Sequence, residues 1–267
     1  MSYDNYNWDY RRTNIVGPAQ LKAANDIFHP TVDQRYALGT EYWMNDGTGR
    51  AFRYCENGAV ALAKALMASG AAQDAQAITS TEQTAYGASA KAKKFDVLLS
   101  TGNAWSDHDL VDGWLVVSDG TTALGDMYLI KDNYWTTSDT VMNVEIADAG
   151  GLRNAILAAS DDVILIKNKC KDTVVNATNP VSSVVGVPLV IVPISYYYWA
   201  QFRGWAPVIC DGTDTVVVGD FVMQSESVAG AVALLDCTTT VGDDHPYGIC
   251  VLVGAVSETC VIDLLIP

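Results

Sequence analysis

"GWLVVSDGTTALGDMYLI", residues 113–130, decides the fold. A Gly-Trp pair opens a short apolar run, which passes through Asp-Gly-Thr and then Gly-Asp before a second apolar run begins. Asp-Gly between two such runs is a hairpin signal, because glycine takes the positive φ that a tight turn needs. The same order returns in "GWAPVICDGTDTVVVGDFVM", residues 204–223. Further on, "ASDDVILI" (159–166) is matched loosely by "VSETCVIDLLI" (256–266), and the offset grows from 91 to 97 residues. That drift fits small loop insertions in two copies of one module of roughly 80–90 residues.

The module reads as β. Runs rich in Val, Ile and Leu at 114–118, 127–131, 141–147, 163–167, 187–193, 215–218, 248–255 and 260–266 are separated by Gly, Asp, Ser and Thr. Such spacing predicts an all-β barrel or sandwich. Asp119-Gly120, Asp211-Gly212 and Asp46-Gly47 are the expected turns. Helix is sparse: "ENGAVALAKALMASGAAQDA" (56–75) qualifies on Ala and Leu propensity, and "GGLRNAILAA" (150–159) is a second short candidate. The expectation is a mostly β chain of two related β-barrel or β-sandwich modules with few short helices. An extended N-terminal arm spans 1–50, the first module 51–182 and the second 183–267.

The arm, "MSYDNYNWDYRRTNIVGPAQLKAANDIFHPTVDQRYALGT" (1–40), has little periodicity. Tyr3, Tyr6, Trp8 and Tyr10 are apolar mass that an isolated domain gains little from displaying, so they read as anchors for a partner. Arg11 and Arg12 would pair acidic groups at the rim. A disordered tail is the alternative.

The most aromatic stretch is "SYYYWAQFRGWAPVICDGT", 195–213. As a strand it places Tyr197, Trp199, Gln201 and Arg203 on one face, with Tyr196, Tyr198, Ala200 and Phe202 on the other. Aromatics on both faces mean a doubly buried strand, or one face meeting a partner or a sugar. Tyr197, Trp199 and Arg203 are the candidate partner contacts here.

Composition bounds the partners. The chain has 267 residues, 49% hydrophobic and only 18% charged, with a formal net charge of −15. Few charges over a large core point to surface buried in an assembly. An acidic chain repels phosphate backbones, so nucleic acid is disfavoured. With no run of 18 apolar residues, no membrane helix is expected. The polar N-terminus lacks the apolar core of a signal peptide. The cysteines Cys55, Cys170, Cys210, Cys237, Cys250 and Cys260 show no C-x-x-C spacing, and His29, His108 and His245 lie far from them in sequence. Zinc is therefore not expected, and the thiols should be reduced when the protein is made.

Nucleotide-binding, nucleophile-elbow and metalloprotease motifs do not occur. "WSDHDLVDGW" (105–114) gathers Asp107, His108, Asp109 and Asp112, and reads better as a solvated loop than as an acid–base or metal cluster. Turn chemistry accounts for Asp119, Asp126, Asp211, Asp214 and Asp220 better than calcium does. "NAT" (176–178) fits a glycosylation sequon, without a secretion signal to support it.

The segments "YALGTEYWMNDGTGRAFRYCENGAV" (36–60), "VVGVPLVIVPISYYYWAQFRGWAPVICDGT" (184–213) and "GDFVMQS…YGICVLVGAV" (219–256) resemble a group of tailed-phage virion proteins of the head-decoration or capsid-cement type. The resemblance runs over most of the chain from residue 36 and rests on turn glycines and aromatics. It implies a β-rich, oligomeric protein of the outer capsid surface, made in the host cytoplasm, and brings no catalytic residues. The expected function is non-enzymatic decoration or cementing of a capsid, with no cofactor and no metal. The partners would be the major capsid protein and further copies of itself, a trimer by analogy with decoration proteins at threefold sites. The alternative is a head-fibre or adhesin-like module binding host-surface glycans, with an enzyme third.

Overall fold

The computed structural model describes residues 26–44, 47–72, 77–78, 87–99, 105–120, 122–136, 141–158, 160–179, 182–212, 215–235, 245–254 and 258–267. Tyr3, Tyr6, Trp8, Tyr10, Arg11 and Arg12 lie outside them.

Among the described residues the chain is almost entirely β, in two compact units. The strands are β1 (Glu41–Trp43), β2 (Ala51–Glu56), β3 (Ala68–Ser69), β4 (Ala77–Ile78), β5 (Lys94–Leu98), β6 (Trp114–Asp119), β7 (Met127–Trp135) and β8 (Val141–Ile146). They continue with β9 (Asp162–Ile166), β10 (Val174–Val175), β11 (Val184–Pro188), β12 (Tyr197–Ile209), β13 (Phe221–Gln224), β14 (Val232–Leu234), β15 (Gly248–Leu252) and β16 (Thr259–Leu265). The helical element among the described residues is one 3-10 turn, Asp26–Phe28. No helix there is long and apolar enough to cross a membrane.

The units do not follow the expected 51–182 and 183–267 partition. One unit is split in sequence, running up to Ala72 and resuming at Lys169–Pro267; the other, Gln73–Asn168, is inserted into it. The physical reason is long-range pairing. β12 pairs antiparallel with β2, Trp199 opposite Tyr54, and β3 pairs with both β10 and β11. The first strands therefore complete a sheet with the last third of the chain. Residues 26–50 belong to this unit too: Ile27, Leu38 and Tyr42 are buried in its core and β1 pairs with β2. The expected arm thus does not extend to residue 50.

In the split unit ten strands form one sheet, ordered β10-β3-β11-β12-β16-β15-β13-β14, with β2 also on β12 and β1 beyond it. In the inserted unit six strands follow the order β4-β9-β6-β7-β8-β5. The inserted unit has one core, around Leu115, Ile130, Met142 and Leu165. The split unit has an aromatic cluster around Tyr54 and Trp199, and an aliphatic one around Val208, Val222 and Ile262.

Neither helix candidate is helical among its described residues, which are strand, bridge, bend and turn. Leu62 and Val192 exchange both backbone hydrogen bonds (2.9 and 3.0 Å), and the Ala65 N–H donates to the Pro188 carbonyl (3.0 Å). In the inserted unit Ala88 and Ile156 exchange both bonds (2.9 and 2.8 Å), and the Lys91 N–H donates to the Leu152 carbonyl (2.7 Å). Ala65 and Lys91 both adopt left-handed backbone, φ 65° and 69°. The two units thus share one device, a pair of bends clasped at equivalent positions. Pairing with these distant partners overrides the helix propensity of Ala and Leu.

Two strand expectations also shift. β11 stops at Pro188, which has no N–H to donate. Residues 215–218 form no strand among the described residues; the Val217 N–H is taken by the Asp220 carboxylate (2.9 Å) in the turn before β13. Asp211-Gly212 is not a hairpin turn, since β13 pairs with β14 and β15 rather than with β12. A hairpin does join β1 to β2, with Gly47 and Gly49 at φ 78° and 70°.

Candidate interaction face

The aromatic stretch 195–213 divides at Gln201. Before it, β12 is buried on both sides. Trp199 is 3% exposed, its ring centroid 5.1 Å from Tyr54, 5.4 Å from Tyr36 and 6.1 Å from Tyr42. Trp199 is therefore core, and as a partner contact it is corrected. Tyr197 is half-buried; its ring stacks on Tyr54 at 5.9 Å and its backbone pairs with Thr31. Of the three contacts expected here only Arg203 is exposed, its guanidinium 5.5 Å from the Trp43 ring centroid.

Gln201 causes the change. Its register with β2 slips between Gln201 and Arg203, and Gly204 takes φ 77°. The Gln201 side chain is wholly buried, and its Nε2 donates to the carbonyls of Arg203 (2.9 Å), Gly204 (3.2 Å) and Trp205 (2.9 Å). One amide thus holds a bulge of the kind that re-aims a strand. Beyond it the residues alternate cleanly. Gly204, Ala206 and Val208 face the core, while Arg203, Trp205 and Pro207 face out.

Cross-strand partners share a face, so the outward surface can be followed across the sheet. Arg203 lies opposite Leu265, Trp205 opposite Asp263, and Pro207 opposite Val261. Asp263 lies opposite Ile249, and Ile249 opposite Phe221. The face therefore carries Trp205, Pro207, Val261, Leu265, Ile249 and Phe221 around one arginine and one aspartate. Trp205 is 61% exposed, Phe221 48% and Leu265 42%. An antiparallel sheet with a solvated side ordinarily puts polar residues there.

The inserted unit repeats the arrangement. Trp114 begins β6 on the outward side, flanked by Leu129 and Ile166, and Val116 lies between Met127 and Ile164. This apolar strip gives way to charge at the other end of the sheet. Glu145 binds Lys94 (2.7 Å) and Lys131. Burial pushes the Glu145 carboxyl up, but its bonds to the two lysines outweigh that and hold it below its usual value.

The Gly-Trp repeat therefore marks two open apolar faces. Trp114 and Trp205 both pair antiparallel with the last strand of their own unit, β9 and β16. Their further neighbours differ: β7 flanks β6 directly, whereas β13 lies beyond β15. Trp43, Trp114, Trp205, Phe221 and Leu265 were absent from the sequence-based contacts. Alternation was the available signal, since Gly204, Ala206 and Val208 are the small, core-sized residues of one parity.

Elsewhere several of the polar candidates are engaged by backbone and side-chain partners. Asp107 Oδ1 accepts from the Trp135 N–H (2.7 Å), and Asp109 Oδ2 from the Ser106 N–H (2.9 Å) and Lys167 Nζ (3.3 Å). His108 Nδ1 is 2.7 Å from Asp132 Oδ1. Asn133, fully buried, ties the loop down by accepting from the Leu110 N–H (2.7 Å) and donating to the Ser106 carbonyl (3.1 Å). Asp119 caps Gly120, Asp126 accepts from the Tyr128 hydroxyl, and Asp211 from the Ser225 hydroxyl. Among the described residues no group of three His, Cys, Asp or Glu side chains is placed to hold a metal ion.

The cysteines differ from the reduced set expected. Cys210 and Cys260 form a disulfide, Cα atoms 6.1 Å apart, while Cys55, Cys170 and Cys250 are buried thiols outside it, and Cys237 lies outside the described residues. Burial, then a hydrogen bond to Cys170, pushes the Cys55 thiol up. Burial also pushes the Tyr54 phenol up to about 12.

Compared with known protein families, curated proteins and solved structures, the chain matches none.

Proposed function

We propose that this protein is a non-enzymatic structural component of a tailed-phage virion, one that decorates or cements the capsid by binding the major capsid protein. The observation that carries the reading is the pair of Trp-led apolar sheet faces, one on each unit. A folded chain that leaves Trp205, Phe221 and Leu265 open gains from having them covered, at roughly 1.5–3 kcal/mol for each large side chain fully buried. Such faces suit flat contacts between proteins, in which aromatic and arginine side chains serve as anchors. In the 105–114 loop Asp107 and Asp109 accept from backbone N–H groups and His108 contacts the Asp132 carboxylate, which favours a structural role for that loop over chemistry. The virion setting comes from the resemblance of segments 36–60, 184–213 and 219–256. Residues 1–12, with Tyr3, Tyr6, Trp8, Tyr10, Arg11 and Arg12, would supply a second attachment to the shell.

Quantitative mass spectrometry of purified particles from cells making the protein tests this. A fixed copy number relative to the major capsid protein is expected; absence from the particles overturns the reading. Exposed Trp205 and Trp43 are also the kind of rings on which sugars stack, and a glycan array reads that alternative directly.

A further inference from the structure

The outer face of β12, β16, β15 and β13 is singular in its charge. The chain carries −15 overall, so copies of it repel one another. On this face the charged side chains are Arg203 and Asp263, which cancel. They occupy opposite corners of a four-residue block: Arg203 beside Leu265 on one row, Trp205 beside Asp263 on the next. The other diagonal is Trp205 and Leu265, both apolar and exposed.

We infer that this face is covered by the same face of a second copy of the chain, across a two-fold axis. The inference rests on reading the protein as an assembly component and names what covers one of its two faces. A two-fold axis lying in the contact plane exchanges points on either side of it and brings points along it onto themselves. An axis running along the Trp205–Leu265 diagonal sets Trp205 against the second copy's tryptophan. It also sets each Arg203 against the other copy's Asp263, twice per pair. No different protein is needed to complement the patch, because it contains both halves of its own ion pair. Trp43 and the bulge at Gln201 support the geometry: the ring of Trp43 lies by the Arg203 guanidinium, and the Gln201 amide fixes the backbone from which Arg203 and Trp205 project.

The test is the mass of the full chain in solution over a concentration series, by sedimentation or mass photometry. Wild type should pass from one chain to two. Arg203→Asp alone puts aspartate against aspartate, and Asp263→Arg alone puts arginine against arginine. Each should weaken pairing at least tenfold while circular dichroism stays that of the wild type. Mixing the two variants in equal amounts should restore pairs, because the mixed pair contains two ion pairs, one in the native order and one reversed. An intrachain Arg203–Asp263 contact would give no such rescue. Trp205→Glu should abolish pairing without a charge partner to restore it. Wild type that stays monomeric throughout, a mixture that stays monomeric, or a mass of three chains overturns the inference. Particle occupancy is measured separately. A chain that pairs but is missing from particles overturns the virion reading alone, and a particle-bound chain that never pairs overturns this one alone.

Discussion

Replacing Gln201 with leucine should cost the split unit about 2–4 kcal/mol. The side chain is fully buried, and its single amide group faces three carbonyls, those of Arg203, Gly204 and Trp205. Two N–H bonds serve the three acceptors, so two hydrogen bonds are the fair count of what is lost. Leaving a buried polar group unsatisfied costs about 1–3 kcal/mol. Oε1 of Gln201 has no hydrogen-bond partner and is itself buried, so its removal returns part of that cost. Leucine is close in volume and brings no cavity, which isolates the hydrogen bonds from packing. For a domain of 150–250 residues each kcal/mol moves Tm by about 2–4 °C, so a fall of roughly 10 °C is expected. Hydrogen exchange read by mass spectrometry should show the loss concentrated in peptides covering 199–209, with the inserted unit unchanged. A Gln201→Leu variant within about 0.5 kcal/mol of wild type would refute the view that this amide holds the bulge.

The Cys210–Cys260 bond closes a loop with a sequence separation of 50, so the Cys210→Ser, Cys260→Ser double variant should lose up to about 4 kcal/mol; an unchanged urea midpoint would mean the bond does not form in solution. Gly151→Ala should cost more than about 2 kcal/mol, since the position has φ 70° and an added Cβ would lie 2.2 Å from the Lys91 carbonyl; thermal melting decides it. Tyr54 ionises at about 12 in the folded protein against an ordinary 10.0, so its share of stability is intact below pH 10 and lost as pH rises toward 12. That share is roughly 2–3 kcal/mol, and Tyr54→Phe should flatten the alkaline fall in the denaturation midpoint; an equal slope in both proteins would count against it. Glu145 sits below its ordinary value, so the stability it contributes through Lys131 and Lys94 is present at neutral pH and lost as pH falls through the carboxylate range. Glu145→Gln should remove that acid dependence.

The β character, most strand positions and the Gly-Trp repeat could be read from the sequence because they are local: alternation and turn residues are written within ten residues of one another, whereas the exposure of Trp114 and Trp205 was not legible there. The unit boundary could not. β2 reads like the start of a module, yet its partner Tyr197–Arg203 lies beyond the whole inserted unit, and no local pattern records such a pairing. Parity misled the reading at Trp199 for a related reason. Trp199 and Arg203 share odd parity and read as one face of a strand, but the slip at Gln201 separates a doubly buried half-strand from an open one. Ala65 and Lys91, in left-handed backbone, gave no signal because neither residue type favours it. The bend at Ala65 consequently passes for helix in the reading of 56–75.

The insertion also sets an order of events on the ribosome. β1, β2 and β3 emerge before Gln73, and β12, which completes their sheet, begins only at Tyr197. At about 5–20 residues per second the intervening chain takes on the order of ten seconds to synthesise. During that interval the inserted unit has all of its strands and can close its own core, while "AFRYC" (51–55) waits with only β1 beside it. Nascent chains on one polysome hold that strand out at the same time. Slowing translation between residues 169 and 196 should therefore lower the yield of native protein more than slowing it within 73–168, and raise the demand for chaperones that cover exposed β-strands.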